Sequence, residues 1–236
     1  MAVRFGIIVF PGSNCDRDVA WVTQGLLQQP TRMIWHTERD LTDVDVVVVP
    51  GGFSYGDYLR CGAIARFSPA LQATIDHAKQ GKYVLGICNG FQILTEAGLL
   101  QGALVRNREM HFICDRVFLK IDRSDLPWTQ KYQDSVITLP IAHGEGSYYA
   151  DADTLESLEA NQQILFRYCT SQGEVSAAAN PNGSLQNIAG ICNRQGNVLG
   201  MMPHPERAAD PALGKTDGRL LFEGLLAKVG VEALAR

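Results

Sequence analysis

The sequence predicts an α/β fold: a three-layer, mostly parallel open sheet with helices on both faces. Three observations lead there. Apolar runs at 5–10, 44–49 (interrupted only by Asp45) and 83–87 alternate with segments of helical periodicity. The runs show no polar alternation, which marks strands buried on both faces. Two of them stop abruptly at Pro11-Gly12 and Pro50-Gly51-Gly52, turns that belong at strand ends.

The elements follow in order. Residues 5–10 form the first strand. Ser13 or Asn14 is expected to cap the next helix, with Asp16 and Asp18 in its first turn and Ala20, Val22, Leu26 and Leu27 inward. Residues 31–36 and 44–49 are the next strands. A helix over 69–80 places Leu71, Ile75 and Ala78 on one side. Strand 83–87 runs into a helix carrying Phe91, Ile93, Leu94 and Ala97, ended by Gly98. From 104 to 142 the pattern is strand-like, with 117–121 and 136–141 as candidates. Residues 152–163 read as a helix, then 164–169, 188–192 and 198–202 as strands. An amphipathic helix over 216–229 carries Leu220, Leu221, Leu225 and Leu226. Strand–helix alternation favours a parallel sheet. No repeat, linker or low-complexity stretch divides the chain, so one domain over 1–236 is expected.

Composition narrows the function. The 236 residues are 46% hydrophobic and 19% charged, the balance of a globular protein. Twenty-one basic residues against 25 acidic give a net charge of -4. That argues against a broad nucleic-acid or membrane face. No run is long enough for a membrane span. Six cysteines stand at 15, 61, 88, 114, 169 and 192 with no C-x-x-C pair. This disfavours a disulfide scaffold, zinc ribbon or redox pair and points to a reducing, cytoplasmic setting.

The sharpest local signal is Gly86-Ile87-Cys88-Asn89-Gly90, entered by a strand and left by a helix. That is a nucleophile elbow with sulfur in place of oxygen. The helix N-terminus behind Cys88 favours thiolate; the plain alternative is a core thiol. A nucleophilic thiol needs a base, and the base an orienter. Met202-Pro203-His204-Pro205-Glu206-Arg207 supplies both after another strand. Extended geometry around the prolines puts His204 and Glu206 on one side. A surface turn with a solvated His and Glu is the other reading. The Asn89 N–H and the Gly52 N–H of the Pro50-Gly51-Gly52-Phe53 turn are candidate oxyanion donors. Cys15 is a rival nucleophile, although a thiol in a first helical turn usually packs. His143-x-Glu145 and His204-x-Glu206 echo zinc deaminases, but no P-C-x-x-C follows, so no metal site is expected. His36 and His77 have no suggestive company, and His111 near Cys114 is an unsupported metal pair.

Five segments carry a family resemblance: 10–18 (FPGSNCDRD), 50–60 (PGGFSYGDYLR), 86–92 (GICNGFQ), 141–146 (IAHGEG) and 202–207 (MPHPER). With them the chain resembles the class I, or triad, glutamine amidotransferases. Within these it is similar to the glutaminase subunits of de novo purine biosynthesis. The resemblance implies that Cys88 attacks the glutamine side-chain amide and that Gly52 and Asn89 N–H groups hold the oxyanion. It implies His204 as base and acid, Glu206 as its orienter, and a substrate pocket that includes Gln92, His143 and Gly144. It implies partners: an ATP-dependent synthetase subunit that takes the ammonia to aminate formylglycinamide ribonucleotide, and a small assembly subunit. The loop from Phe53 to Arg60 is expected to face the synthetase. No cofactor is expected in this chain; ATP and magnesium belong on the partner. Three other readings stand beside it. One is a cysteine-elbow hydrolase or stress protein of the same architecture, which would use an early-strand carboxylate absent from 5–10. The others are a degenerate non-catalytic scaffold and an amidotransferase for another acceptor.

Overall fold

The computed structural model describes residues 2–234, with side chains through 231. Eleven strands and five α-helices follow in chain order. β1 (Phe5–Val9) leads into α1 (Asp16–Ala20), which continues as a wider π-helical turn over Trp21–Leu26. Then come β2 (Thr31–Trp35), β3 (Val46–Val49), α2 (Pro69–Lys79), β4 (Tyr83–Ile87) and α3 (Asn89–Glu96). The second half contains β5 (Ala103–Val105), β6 (Ile113–Ile121), β7 (Val136–His143), β8 (Ser147–Tyr149), α4 (Ala152–Ala160) and β9 (Ile164–Cys169). β10 (Ile188–Cys192), β11 (Val198–Met201) and α5 (Arg219–Leu234) complete the chain.

Nine strands form one sheet in the order β2-β1-β3-β4-β11-β10-β9-β6-β7. From β2 to β11 the pairing is parallel, as the apolar runs predict. From β11 outward each pairing is antiparallel, so β9 and β7 still point with the parallel block. Every residue of β3, β4, β10 and β11 is buried, so both faces of the sheet centre are covered. β5 and β8 pair separately; neither stands out in the sequence.

One local expectation fails. Neither Ser13 nor Asn14 caps α1. Cys15 is the N-cap residue, and no side-chain cap bond forms. Ser13 Oγ accepts from Phe10 N–H at 3.0 Å, and Asn14 Oδ1 accepts from the Cys15 thiol at 3.1 Å. The backbone of this segment instead braces the next loop: Asn14 and Cys15 N–H donate to Gly51 O at 3.4 and 3.2 Å, and Phe53 N–H to Gly12 O at 2.9 Å. The cap-type residues of this segment thus fix the turn after β3.

The parallel block brings the carboxyl ends of β1, β3, β4 and β11 to one edge. β7 joins them because its hairpin folds back, and His204 N–H donates to Pro140 O at 2.8 Å.

Candidate active site

At this edge lies a cavity of about 340 Å³ whose lining includes Cys88, His204, Gln92, Gly52, His143 and Gly144. Each was singled out in the sequence, and each arrives on a different element or turn. Asn89 sits directly behind Cys88 at the start of α3.

Cys88 stands between β4 and α3 at φ 52°, ψ -107°. A non-glycine residue pays strain there of order 1–3 kcal/mol, a feature that clusters at functional sites. One backbone bond and the close packing of the neighbouring glycines hold it. Its N–H donates to Met201 O at 2.8 Å, which ties the elbow to β11. α3 sits so close to β3 that a Cβ at Gly90 would fall 1.8 Å from Val49 O. A Cβ at Gly51 would fall 2.8 Å from His204 Cε1 and 3.0 Å from Cys15 Sγ; only hydrogen fits between the turn and the imidazole. The resting Cys88 thiol donates to Ala142 O at 3.6 Å.

His204 and Glu206 are no surface turn. They are 1% and 3% exposed, and His204 Nδ1 lies 2.6 Å from Glu206 Oε1. The carboxylate only accepts, so Nδ1 carries the hydrogen of neutral His204 and Nε2 presents its lone pair. Nε2 is buried with no hydrogen-bond partner at rest. Burial works against a charged imidazole, but the Glu206 carboxylate, with Cys88 next, outweighs it and raises His204 well above its ordinary value. The pair is therefore a base that readily holds the proton it takes.

The two N–H groups singled out as oxyanion donors are unengaged by the backbone among the described residues. Asn89 N–H opens α3 and has no intrahelical acceptor. Gly52 N–H lies in the turn braced by residues 12–15 and has no backbone acceptor among the described residues. The Asn89 side chain organises the floor: Oδ1 accepts from Ser54 N–H at 3.1 Å, and Nδ2 donates to Gln92 Oε1 at 2.9 Å. Gln92 Nε2 donates to Glu145 O at 2.5 Å, so its amide ties α3 to the 141–146 segment.

His143 is held by a residue the sequence did not suggest, Asn107. Asn107 Nδ2 donates to His111 O and His143 O at 3.0 and 2.8 Å, which leaves Oδ1 as acceptor for Gly146 N–H and His143 Nδ1 at 3.0 and 3.1 Å. His143 Nδ1 therefore donates, and Nε2, buried and unpartnered, is an acceptor. Burial, helped by His204, pushes His143 down to about 4, so it stays neutral.

Cys15 is buried beside His204 and takes a hydrogen bond from Arg207 Nη2 at 3.0 Å. Burial raises this thiol. Donor atoms of Cys15, His204 and Glu206 lie within 4.8 Å of one another, a spacing that could hold a metal. Glu206 is already engaged by His204 Nδ1, and a cation would enter against the Arg207 guanidinium, so the set fits a divalent ion poorly. The remaining histidines lie outside the chemistry. His36 Nδ1 pairs with Tyr55 OH at 2.8 Å, and His77 is buried, held down to about 4 by burial. His111 lines the cavity, while Cys114 is exposed.

A family model of the CobB/CobQ-like glutamine amidotransferase domain matches residues 2–216. The chain belongs to this glutamine amidotransferase family. Relatives within reach are similar nearly end to end. Phosphoribosylformylglycinamidine synthase subunit PurQ of Acaryochloris marina is 73% identical over 225 residues, 95% of this chain and 96% of the relative. The subunit of the same name from Synechocystis is 71% identical over 219 residues, 92% and 98% of the two chains. A chain in the structure of PurLQS from Thermotoga maritima is 38% identical and matches with a TM-score of 0.85, covering 97% of this chain and all (100%) of that one. A further glutamine amidotransferase from Thermotoga maritima, 17% identical with a TM-score of 0.55, covers 98% of this chain and 93% of its own; it shares the fold.

In this amidotransferase the sequence signals for the elbow and the His-Pro-Glu segment pointed to neighbours in space. Arg207, Asn107 and Asp57 were not foreseen as site residues. Arg207 adjoins Glu206 in the motif, so proximity was legible. Nothing local marks Asn107, whose role depends on β7 folding back.

Proposed function

We infer that this chain is the glutaminase subunit of a phosphoribosylformylglycinamidine synthase. It hydrolyses glutamine to glutamate and delivers ammonia to an ATP-dependent synthetase subunit, which converts formylglycinamide ribonucleotide to formylglycinamidine ribonucleotide. The near-full-length identity to PurQ subunits supports the acceptor, and the PurLQS relative supports docking with a synthetase and a small third subunit. The observation that carries the chemistry is a strained Cys88 sharing one cavity with a buried His204–Glu206 pair whose Nε2 is free.

On this reading His204 Nε2 takes the Cys88 proton, and the thiolate attacks the side-chain amide carbon of glutamine. The C=O electron pair moves to oxygen, where the Gly52 and Asn89 N–H groups receive it. The oxyanion collapses, the C–N bond breaks, and His204 passes its proton to the departing nitrogen as ammonia. Water, deprotonated by His204, attacks the γ-glutamyl thioester. The C–S bond breaks, glutamate leaves, and the Cys88 thiol is restored. Glu206 holds the Nδ1–H tautomer throughout and balances the imidazolium. Gln92, His143 and Gly144 shape the glutamine pocket.

Every step uses acid–base and nucleophilic groups present in this chain, so no cofactor is assigned to it; ATP and magnesium belong to the synthetase. The loop from Phe53 to Arg60 rims the cavity and is assigned to the partner face. There Tyr58 and Leu59 stand 71% and 80% exposed, while Arg60 is engaged by Glu96 through a two-point pair at 2.6 and 2.7 Å. Among the described residues no helix is long and apolar enough to cross a membrane. We place the chain in the cytoplasm with the purine pathway it serves.

The test is glutamate release from glutamine by wild type and Cys88→Ala, alone and with the synthetase, small subunit, ATP and formylglycinamide ribonucleotide. Release that depends on Cys88 and rises with the partners is expected. Absence of Cys88-dependent release from the full mixture would overturn the assignment.

A further inference from the structure

The chemistry above touches only the amide end of glutamine, and nothing in it distinguishes an amino acid from any other primary amide. The cavity holds a feature suited to that task. Asp57 and Glu145 both line it. Asp57 Oδ1 lies 3.4 Å from Asn89 Nδ2, so this carboxylate stands beside the residue that follows the nucleophile. The Cys61 thiol bridges Asp57 and Glu145, and the two carboxylates repel one another. Glu145 has a cation, Arg106 at 3.5 Å. Asp57 has none among the described residues; its partners are the neutral Asn89 amide and Cys61 thiol. His143 Nε2, a 3%-exposed acceptor without a donor, lines the same cavity.

Around Asp57 the pocket thus offers two carboxylates and one cation, and that cation sits on Glu145. Burial, then the charge of Glu145, hold the Asp57 carboxyl above its ordinary value, the state of an anion without its counter-charge. The backbone reaches this placement at some expense: Tyr55, Asp57 and Leu59 all have positive φ, at 54°, 54° and 72°. The α-nitrogen of glutamine is four bonds from its amide carbon, roughly 5 Å at full extension. A ligand anchored at Cys88 extends its α-nitrogen about that far into the cavity that Asp57 also lines.

We propose that Asp57, assisted by Glu145, receives the α-ammonium of glutamine and makes the site selective for an amino acid over a simple amide. An ammonium brings three donors and one positive charge, the partner that Asp57 lacks among the described residues. The proposal rests on the glutaminase reading above and adds the substrate contact that reading leaves open.

The experiment uses the assembled complex and two substrates, glutamine and 4-carbamoylbutanoate, which is glutamine without its α-amine. Release of glutamate or glutarate is followed by chromatography, and kcat/KM is taken for each in the same preparation, so an unfolded fraction cancels. In Asp57→Asn the preference for glutamine is expected to fall about 30-fold, mainly through KM, the loss typical of a charge-assisted contact. Asp57→Glu keeps the charge and should retain part of the preference; Glu145→Gln should lower it by a smaller factor. A preference unchanged in both Asp57→Asn and Glu145→Gln overturns the proposal. If Asp57→Asn cleaves neither amide above the Cys88→Ala background, Asp57→Glu decides: retained preference supports the contact, and preference no better than for the amine-free amide refutes it. A wild-type complex without Cys88-dependent cleavage would instead sink the glutaminase reading, a different failure from the loss of selectivity alone.

Discussion

Replacing Glu206 with Gln isolates the charge of the orienting carboxylate from its hydrogen bond. Gln is close in shape, and its Oε1 can accept the His204 Nδ1–H that now lies 2.6 Å from Glu206 Oε1. The tautomer is kept; the counter-charge of the imidazolium is lost. Two unit charges about 4 Å apart attract by about 4 kcal/mol at an effective dielectric near 20. An amide dipole recovers part of that, so about 2–3 kcal/mol should appear in the barrier, about 30- to 150-fold in kcat. The pH profile should move as well. The Glu206 carboxylate is the leading influence that raises His204 against the opposing effect of burial. Removing it lowers the imidazolium pKa, so the proton needed by the leaving ammonia is lost at lower pH. The alkaline limb of kcat shifts toward acid. The assay is glutamate release by the saturated complex across pH, with thermal unfolding as the check on fold. A kcat within threefold of wild type with an unmoved alkaline limb would refute the role given to Glu206.

Two further outcomes follow from packing and burial. Gly90→Ala puts a methyl 1.8 Å from Val49 O, and neither backbone can yield without moving α3 off β3. A loss of at least about 3 kcal/mol is expected, beyond ordinary overpacking, with the Cys88 elbow displaced; urea midpoints and kcat report the two effects. His77 is held from 6.5 to about 4 by burial. A lowered histidine stabilises the fold fully above its unfolded value, and that contribution is lost as pH falls from 6.5 toward 4. Between pH 7 and 5 the loss is about 2 kcal/mol. His77→Gln should therefore be less acid-sensitive than wild type in urea melts at the two pH values. Equal sensitivity would mean that His77 takes up its proton without unfolding.

The proposed triad of Cys88, His204 and Glu206 was legible because each member lies next to a strong local signal. Cys88 follows a fully apolar strand and sits among glycines, and His204 and Glu206 alternate with prolines after another such strand. Strand ends at one edge of a parallel sheet converge by topology, so local signals there become neighbours. The antiparallel half was less legible. β6 begins Ile113-Cys114-Asp115-Arg116, mostly exposed residues that carry little apolar pattern; its pairing with β7 is set by long-range register. Ser13 and Asn14 misled for a related reason. Their type favours a cap, but the brace to the turn at Gly51 uses the same short segment, and tertiary contacts decided its shape.

Asp57 shows the same limit at its sharpest. In the sequence it belongs to a Gly-Asp-Tyr turn, indistinguishable from a solvated loop. Its importance comes from positive φ angles at Tyr55, Asp57 and Leu59, which bring the carboxylate back toward Asn89 instead of outward. Positive φ at three non-glycine residues within five positions costs of order 1 kcal/mol or more at each. A free surface loop would relax to a cheaper path. The strain is held because Tyr55 N–H donates to Pro11 O at 2.6 Å, Ser54 N–H to Asn89 Oδ1 at 3.1 Å, and Tyr55 OH pairs with His36 at 2.8 Å. The first strand's turn and the elbow itself thus grip the loop from two sides. The Asp57 loop and the Cys88 elbow are consequently coupled through Asn89: its backbone N–H is the proposed oxyanion donor behind Cys88, and its side chain accepts from Ser54 N–H in the loop that carries the acid.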